Sequence, residues 1–373
     1  MKNILKKTLA GLLIAGAGLM PAKVDSAELP NVNWTRATID QSLESDPASL
    51  RFDSIRNGLL WFNQNWTTPN NGFEPRGMLF DIRPGIYEQG RSYLRVKSNV
   101  GIPIQLVGES NTDSVINTKL LIGPNNFVSL ENLYLLGRHY DANYPELGGS
   151  SVNFDVDSSG YIENCNSRIA QIDTSQDISV NNSTFLIPTV PDLPEYTYLH
   201  DALELGVHVT SYYDSSAGIR CAFYRNLFAG NGVGTAIKLG KAVDAGSVSS
   251  VTGYNVFDVE NAIWVMDTAS PGIVDASTNC WIDRSLSAKS SLNEFSSPEK
   301  TSGRIVTDPT EIMEKFVRNN NPNVYVDIGT PLNYNPLEEE PPIELPLGGL
   351  ATTASALALA TLGAYAMRRR KTG

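Results

Sequence analysis

Asn226-Leu227-Phe228, Asn255-Val256-Phe257 and Asn279-Cys280-Trp281 repeat one phrase: an asparagine, a small or aliphatic residue, then an aromatic. Asn132-Leu133-Tyr134 is a fourth copy, and Asn164-Cys165-Asn166 and Asn182-Ser183-Thr184-Phe185 are weaker ones. Successive asparagines lie 32, 18, 44, 29 and 24 residues apart. Most of these intervals fit one coil of a parallel β-helix, and the longest fits two. Self-similarity at such periods marks a stacked architecture in which each unit buries its apolar face against its neighbours. Asparagine suits the turn of each coil because it tolerates left-handed backbone. Its side-chain amide can also bond to the asparagine one coil away. The expectation is therefore an all-β, single-stranded parallel β-helix.

Composition agrees with an ordered, turn-rich β protein. Of 373 residues only 18 % are charged, while Gly and Pro number 30 and 21. The net charge is −11, yet eight of the 29 basic residues sit in the two ends: Lys2, Lys6, Lys7 and Lys23, then Arg368, Arg369, Arg370 and Lys371. Without those ends, which also carry Asp25, the body holds 21 basic and 39 acidic residues, a net charge of −18. Such a body is repelled by nucleic acid and by anionic membrane surfaces, so no nucleic-acid partner is expected. It would attract divalent cations weakly, or stay soluble in salt. Cys165, Cys221 and Cys280 are an odd set, leaving at least one thiol unpaired. Small apolar fillers are the expected role, with one disulfide as the alternative in an exported protein.

The ends divide the chain. Residues 1–27 read as a secretory signal, with Lys2, Lys6 and Lys7 ahead of the apolar run Thr8 to Met20 and small residues Ser26 and Ala27 behind it. That run is about 13 residues long, too short to span a bilayer. Residues 28–318 form the body. Residues 319–344 read as a linker rich in Pro, Glu and Asn, including Asn319-Asn320-Asn321-Pro322 and Glu338-Glu339-Glu340-Pro341-Pro342. In residues 345–373, Leu345-Pro346-Leu347-Gly348-Gly349 opens an uncharged stretch reaching Met367, closed by Arg368-Arg369-Arg370-Lys371. About 23 residues at 1.5 Å each cross a bilayer core, and the basic cluster would stay cytoplasmic. This order resembles the C-terminal sorting signals of sortase and exosortase substrates, although the motif departs from LPxTG. A plain tail anchor is the alternative. Either way the body is expected outside the cell, anchored in the membrane by the tail or released after sorting.

Within the body, Ile55, Leu59, Leu60 and Phe62 recur at helical spacing in Asp53–Asn65, with Ser54 as an N-cap. A helix ahead of a strand-rich body suits an N-terminal capping helix, because a terminal coil needs its edge covered. Short apolar strands follow at Met78–Ile82, Ile102–Val107 and Ser114–Ile116. At these residues the chain resembles the pectin-lyase-like superfamily of right-handed parallel β-helices. The likeness rests on a helix, then a strand into Pro84-Gly85-Ile86-Tyr87-Glu88, then a strand into Gly108-Glu109. Val274-Asp275-Ala276-Ser277-Thr278-Asn279-Cys280-Trp281, followed by Gly303-Arg304-Ile305-Val306-Thr307-Asp308-Pro309, is similar to the closing segment of secreted β-helix repeat proteins, with Cys280 where a first Trp is usual. The resemblance covers roughly residues 50–310. It implies a right-handed β-helix and export, and says little about chemistry.

Esterases of that superfamily use two Asp residues beside Arg and Gln donors. Here the D-F-I-F-G and Q-A-V-A-L segments are absent, and Gln176-Asp177-Ile178 is a partial echo. The inverting Asp set of polygalacturonases does not stand out either. Asp155 and Asp157 would share one strand face and offer Ca²⁺ ligands, or form part of a solvated surface. The run His200-Asp201-Ala202-Leu203-Glu204-Leu205-Gly206-Val207-His208-Val209 places His200, Glu204 and His208 on one face, opposite Leu203, Leu205, Val207 and Val209. Each step of four residues spans about 13 Å, so no single metal reaches all three. Groups on a neighbouring coil, about 4.8 Å away, can meet Glu204, and Lys238 and Lys241 are candidates. His200, Glu204, His208, Lys238 and Lys241 would thus make a uronate site, or a solvated outer face. Tyr196, Tyr198, Tyr212 and Tyr213 flank that strand and could stack on sugars or fill loop contacts. Two function classes stand: a surface-tethered binder or adhesin for extracellular carbohydrate or surface polymer, and a polysaccharide-active enzyme of the uronan-lyase type. The tail yields a prediction of its own. Protease added to intact cells should digest the body and spare an epitope tag placed after Lys371. Loss of the tag without protease would point instead to cleavage at Leu345 to Gly349.

Overall fold

Strands of three to five residues cannot hold themselves together; each needs a partner on both sides to satisfy its backbone and bury its apolar parity. The computed structural model describes residues 29–337 except 67–69, 72–73, 90–92, 138–149, 156–157, 168, 173–177, 188–204, 210–220, 231, 233, 241–252, 268, 270–271 and 285–302. The expected signal and hydrophobic tail lie outside the described residues, among which no helix is long and apolar enough to cross a membrane.

The chain is all-β with parallel sheets. The first sheet orders Asn33–Ile39, Glu74–Ile82, Ile104–Gly108, Phe127–Glu131, Ser159–Glu163, Ile178–Asn181 and Cys221–Tyr224 as successive neighbours. The second sheet orders Gly85–Tyr87, Ser114–Ile116, Tyr134–Leu135, Asn166–Ser167, Thr184–Leu186, Leu227–Ala229, Val256–Asp258 and Cys280–Asp283. The third orders Tyr93–Val96, Lys119–Ile122, Ser150–Phe154, Ile169–Ile172, Leu205–Val209, Thr235–Leu239, Asn261–Val265 and Val317–Asn319. Over most of its length the chain visits the three sheets in rotation. Each strand therefore pairs in parallel with one from the preceding round, and most residues contact only neighbouring rounds.

The register sorts the six asparagine phrases into two ladders offset by one residue. Tyr134, Asn166, Thr184, Leu227, Val256 and Cys280 are successive partners. One position earlier, Leu133, Cys165, Ser183, Asn226, Asn255 and Asn279 share a rung position. Two positions earlier stand Asn132, Asn164, Asn182, Arg225, Tyr254 and Thr278, all with positive φ between 47° and 63°. Asn132 thus belongs with Asn164 and Asn182 at the left-handed turn position, not with Asn226. On this outer ladder the Asn164 amide donates to Asn132 Oδ1 at 2.6 Å. Asn226, Asn255 and Asn279 are fully buried one step further in. There Asn226 Nδ2 donates to Asn255 Oδ1 and Asn255 Nδ2 to Asn279 Oδ1, each at 3.0 Å. The backbone N–H groups of Ser183, Asn226 and Asn255 donate to the amide oxygen one round on, again at 3.0 Å. Ser183 Oγ serves Cys165 N the same way at 3.1 Å.

Beneath this ladder lies an aromatic column. Phe185, Phe228, Phe257 and Trp281 stack with centroids 5.2, 5.2 and 4.9 Å apart, all fully buried. Tyr134 occupies the outward parity and joins a separate small cluster with Val115 and Leu136. The three cysteines are buried and not disulfide-bonded, as fillers rather than a bridge.

Both ends of the stack are covered by helices. Helix α1 spans Ile55–Asn65 and is capped by Ser54, whose hydroxyl accepts from Asn57 N at 3.2 Å. Ile55, Leu59 and Phe62 bury against the core that holds Ile39, Phe52 and Phe80. Gly58 permits that approach, since a Cβ there would lie 2.8 Å from the Phe80 ring. The Glu88 carboxylate accepts from Arg56 N at 3.1 Å, where negative charge favours a helix start. At the other end, helix α2 spans Pro309–Phe316 behind the cap Asp308. Its Phe316 meets Trp281 at 5.9 Å, and the strand Arg304–Val306 closes the second sheet antiparallel. A buried bidentate pair, Arg284 to Asp258 at 2.6 Å, ties the same region together. Within the stretch read as a linker, Val324–Asp327 pairs with Gly272–Asp275, and Val324, Val326 and Ile328 enter the core. The apolar alternation in Asn323-Val324-Tyr325-Val326 outweighs its Pro- and Asn-rich surroundings.

Phe257→Ala should cost about 3–5 kcal/mol in urea unfolding, because it opens the middle of the aromatic column. Asn255→Ala should cost a comparable amount with no large cavity, since it orphans Asn226 N and leaves Phe223 O without its amide donor, at about 1–3 kcal/mol for each buried group, while Asn226 Nδ2 keeps its bond to Val180 O.

Candidate functional site

Inward residues of the third sheet are aliphatic: Val207 and Val209, Ile237 and Leu239, Ile263 and Val265 all lie in the core. Strand alternation therefore turns the residues between them outward. The register lines these up as Asn153 and then, beyond the strand Ile169–Ile172, His208, Lys238, Trp264 and Arg318 on successive rungs. Neighbouring rungs are about 4.8 Å apart, so the row runs across the strands as a continuous stripe.

The stripe has an unusual centre. Lys238 Nζ lies 4.0 Å from the centroid of the Trp264 ring, and the Arg318 guanidinium carbon lies 4.2 Å from it. The two cations arrive from the strands on either side of the tryptophan. Each such contact is worth about 0.5–2 kcal/mol, more as water is excluded, and Trp264 is only 6 % exposed. Arg318 is exposed and has no carboxylate partner among the described residues. His208 sits beside Lys238 and stays neutral: burial, with the Lys238 charge adding to it, pushes its pKa down to about 4. His208 Nε2, Trp264 Nε1 and Asn153 Oδ1 are all buried and without a hydrogen-bond partner. Buried polar atoms are nearly always paired. Three unpaired ones lie on this single row, beside two cations, and all three are closed off from solvent.

Elsewhere among the described residues Ser129 Oγ and Trp281 Nε1 are also buried without a partner, while the main polar clusters pair internally. On the outer face of the first sheet, Tyr161 OH donates to Glu131 Oε1 at 2.6 Å and Gln105 Nε2 bonds to both at 3.2 Å. Burial, with the bond to Glu131, holds the Tyr161 hydroxyl protonated. In the hollow near Arg36, Asp81, Arg83 and Glu109, Arg83 pairs with Glu109 at 3.0 Å and Arg36 with Asp81 at 3.7 Å, so its charges cancel. Burial pushes the Cys165 thiol up to about 12, which leaves it unreactive.

Of the residues singled out from sequence, the structure brings His208 and Lys238 together as direct cross-strand partners. His200, Glu204, Lys241 and the four tyrosines lie outside the described residues. Asp155 is exposed just beyond the strand Ser150–Phe154, and Asp157 lies outside the described residues. Among the described residues no group of three or more His, Cys, Asp or Glu is placed to hold a metal ion. Trp264, Arg318 and Asn153 were not foreseen. The available signal was a lone tryptophan between Ile263 and Val265, on the polar parity of an apolar strand. Comparison with protein families, with curated proteins and with solved structures finds no match to this chain.

The lowered pKa of His208 has a pH consequence. Above 6.5, its ordinary value, the imidazole is neutral in both folded and unfolded chains. Between 6.5 and about 4 the unfolded chain takes up a proton that the folded chain refuses, so stability falls as pH falls through that window. The loss approaches about 3 kcal/mol at its limit. Thermal unfolding from pH 7 to pH 5 should show this decline, and His208→Gln should flatten it.

Proposed function

We propose that this chain is an exported, surface-tethered, right-handed parallel β-helix of the pectin-lyase-like kind, and that it binds or adheres to extracellular carbohydrate or a surface polymer. The binding surface is the outer stripe of the third sheet. The observation that carries this reading is the outward row of His208, Lys238, Trp264 and Arg318, with the exposed Arg318 guanidinium seated on the Trp264 ring. A row of such groups about 4.8 Å apart suits an extended polymer crossing the strands. Rotation of the chain through three parallel sheets supports the coiled form. The apolar C-terminal stretch with its basic end supports tethering, and the tail is the membrane contact.

One observation favours the enzyme reading. His208 is a neutral imidazole next to the ammonium of Lys238, and a lyase needs a base beside a cation that neutralises a uronate carboxylate. The binder is preferred because the stripe's cations are spent on an aromatic ring rather than grouped around one reacting position.

Purified protein should be retained on immobilised polysaccharides without releasing unsaturated sugars, read by their ultraviolet absorbance with and without Ca²⁺. Release of such products, lost in His208→Gln, would establish the lyase instead.

A further inference from the structure

A parallel strand with a free side is a template for another strand. The reversed strand Arg304–Val306 closes the second sheet, but the first sheet is open at both ends. At its start, Arg51–Phe52 meets Asn33–Ile39 only at Thr38 and Ile39, so among the described residues no strand covers that side of Asn33–Ala37. At its far end, bonds from Arg225 N to Gly253 O and from Tyr254 N to Thr278 O carry the stacking on to Gly272–Asp275 and its partner Val324–Asp327. Among the described residues no strand pairs beyond Val324–Asp327.

The two open edges fit each other. Thr38 N and Asp40 N donate away from Glu74–Ile82, to Leu50 O and Phe52 O, so Trp34 and Arg36 share that outward backbone parity. Ala276 N donates to Asp327 O, so Tyr325 and Asp327 face Gly272–Asp275 and the backbone of Val326 faces outward. Val326 of one copy can therefore bond to Trp34 and Arg36 of the next, which sets Tyr325 beside Trp34 and Asp327 beside Arg36. The sheet's own register leads to the same alignment. The outer row that starts at Arg36 runs through Leu79 and Tyr161 to Ala222. Ala222 and Asp275 each stand four residues before a ladder asparagine, and Asp275 is opposite Asp327. A further copy stacked in register brings the start of this row, Arg36, against its end, Asp327.

The side chains are complementary as well. Asp275 and Asp327 are like charges directly opposite each other, an unfavourable pair that a cation on the next rung would relieve. Asp327 Oδ1 accepts from Gly329 N at 3.0 Å. The Arg36 side chain is 72 % exposed and reaches Asp81 only at 3.7 Å, a surface pair that costs little to loosen. Tyr325 and Ile273, opposite one another, are 63 % and 53 % exposed, an apolar pair at the very edge that Trp34 would cover. We propose that this chain assembles head to tail with further copies of itself. Val324–Asp327 of one copy adds in parallel to Asn33–Arg36 of the next, and the contacts of Asp327 with Arg36 and of Tyr325 with Trp34 fix the register. The two surfaces differ, so the contact builds rows rather than closed pairs.

The experiment is disulfide trapping of the purified full chain in a mild non-ionic detergent. Cys165, Cys221 and Cys280 are buried, which keeps the background low. Opposed residues on neighbouring strands lie about 4.8 Å apart, within reach of a disulfide. Arg36→Cys and Asp327→Cys chains are oxidised separately and mixed. A linked dimer should form only in the mixture, and a chain carrying both substitutions should give a ladder of longer multimers. Trp34→Cys mixed with Tyr325→Cys should be trapped likewise and leaves the ion pair intact, whereas Arg36→Cys mixed with Tyr325→Cys, out of register, should be trapped poorly. Arg36→Glu should weaken concentration-dependent association, read by sedimentation, about tenfold, and Asp327→Arg in the same chain should restore it. Linkage of Asp327→Cys chains to one another would mean that copies meet by the same end, as association through the tail would bring about, and overturns the head-to-tail contact. Equal trapping of the out-of-register pair overturns it too, as does failure of both in-register mixtures when the variants melt at the parent temperature.

Discussion

The amide ladder of Asn226, Asn255 and Asn279 is the constraint on which this part of the molecule depends. Each amide lies where three sheets' worth of chain turns inward, out of reach of water, and each closes a backbone N–H of the neighbouring round as well as its own kind. A slip of one residue in any strand would break both sets at once and turn every side chain to the other face. Because the ladder fixes register, it fixes the aromatic column beneath it. By the same token it decides which residues of the third sheet share an outer row. Lys238, Trp264 and Arg318 are neighbours only because the rounds between residues 205 and 319 stack without slippage.

The asparagine phrases gave a sound signal for stacked parallel strands, and the amphipathic run after Ser54 located α1. What the spacing could not separate was the two asparagine roles. An asparagine at the left-handed turn position and one buried a residue later both precede an aromatic within three residues. Composition is blind to that offset. Asn132 looked like the best copy of Asn226 because Tyr134 looked like Phe228, whereas the register pairs Tyr134 with Leu227 through the intervening rungs. The distinction is settled by backbone conformation and burial. Both arise from how neighbouring rounds meet, which a one-dimensional phrase does not record.

Legibility of the stripe was partial for a related reason. Alternation alone placed His208 and Lys238 on outward parity, and nearness in sequence suggested that they were one round apart. Trp264 and Arg318 required knowing how long each excursion between strands is. Strand Asn261–Val265 follows Thr235–Leu239 after about 20 residues, whereas Val317–Asn319 follows only after more than 50. Arg318 also stood at the edge of a Pro- and Asn-rich stretch, where composition argues for a linker. Unequal excursions hide partners that are adjacent in space.

The antiparallel strand Arg304–Val306 has a consequence for assembly. A stack of parallel rounds presents at its last strand the same template it used throughout, and nothing intrinsic tells such a polymer to stop. Reversing one strand removes that template in the second sheet, because the edge then exposed runs against the direction any further round would take. Helix α2 covers the adjoining core with Phe316. Growth of the second sheet is therefore ended by a change of polarity, much as a terminator ends a growing filament.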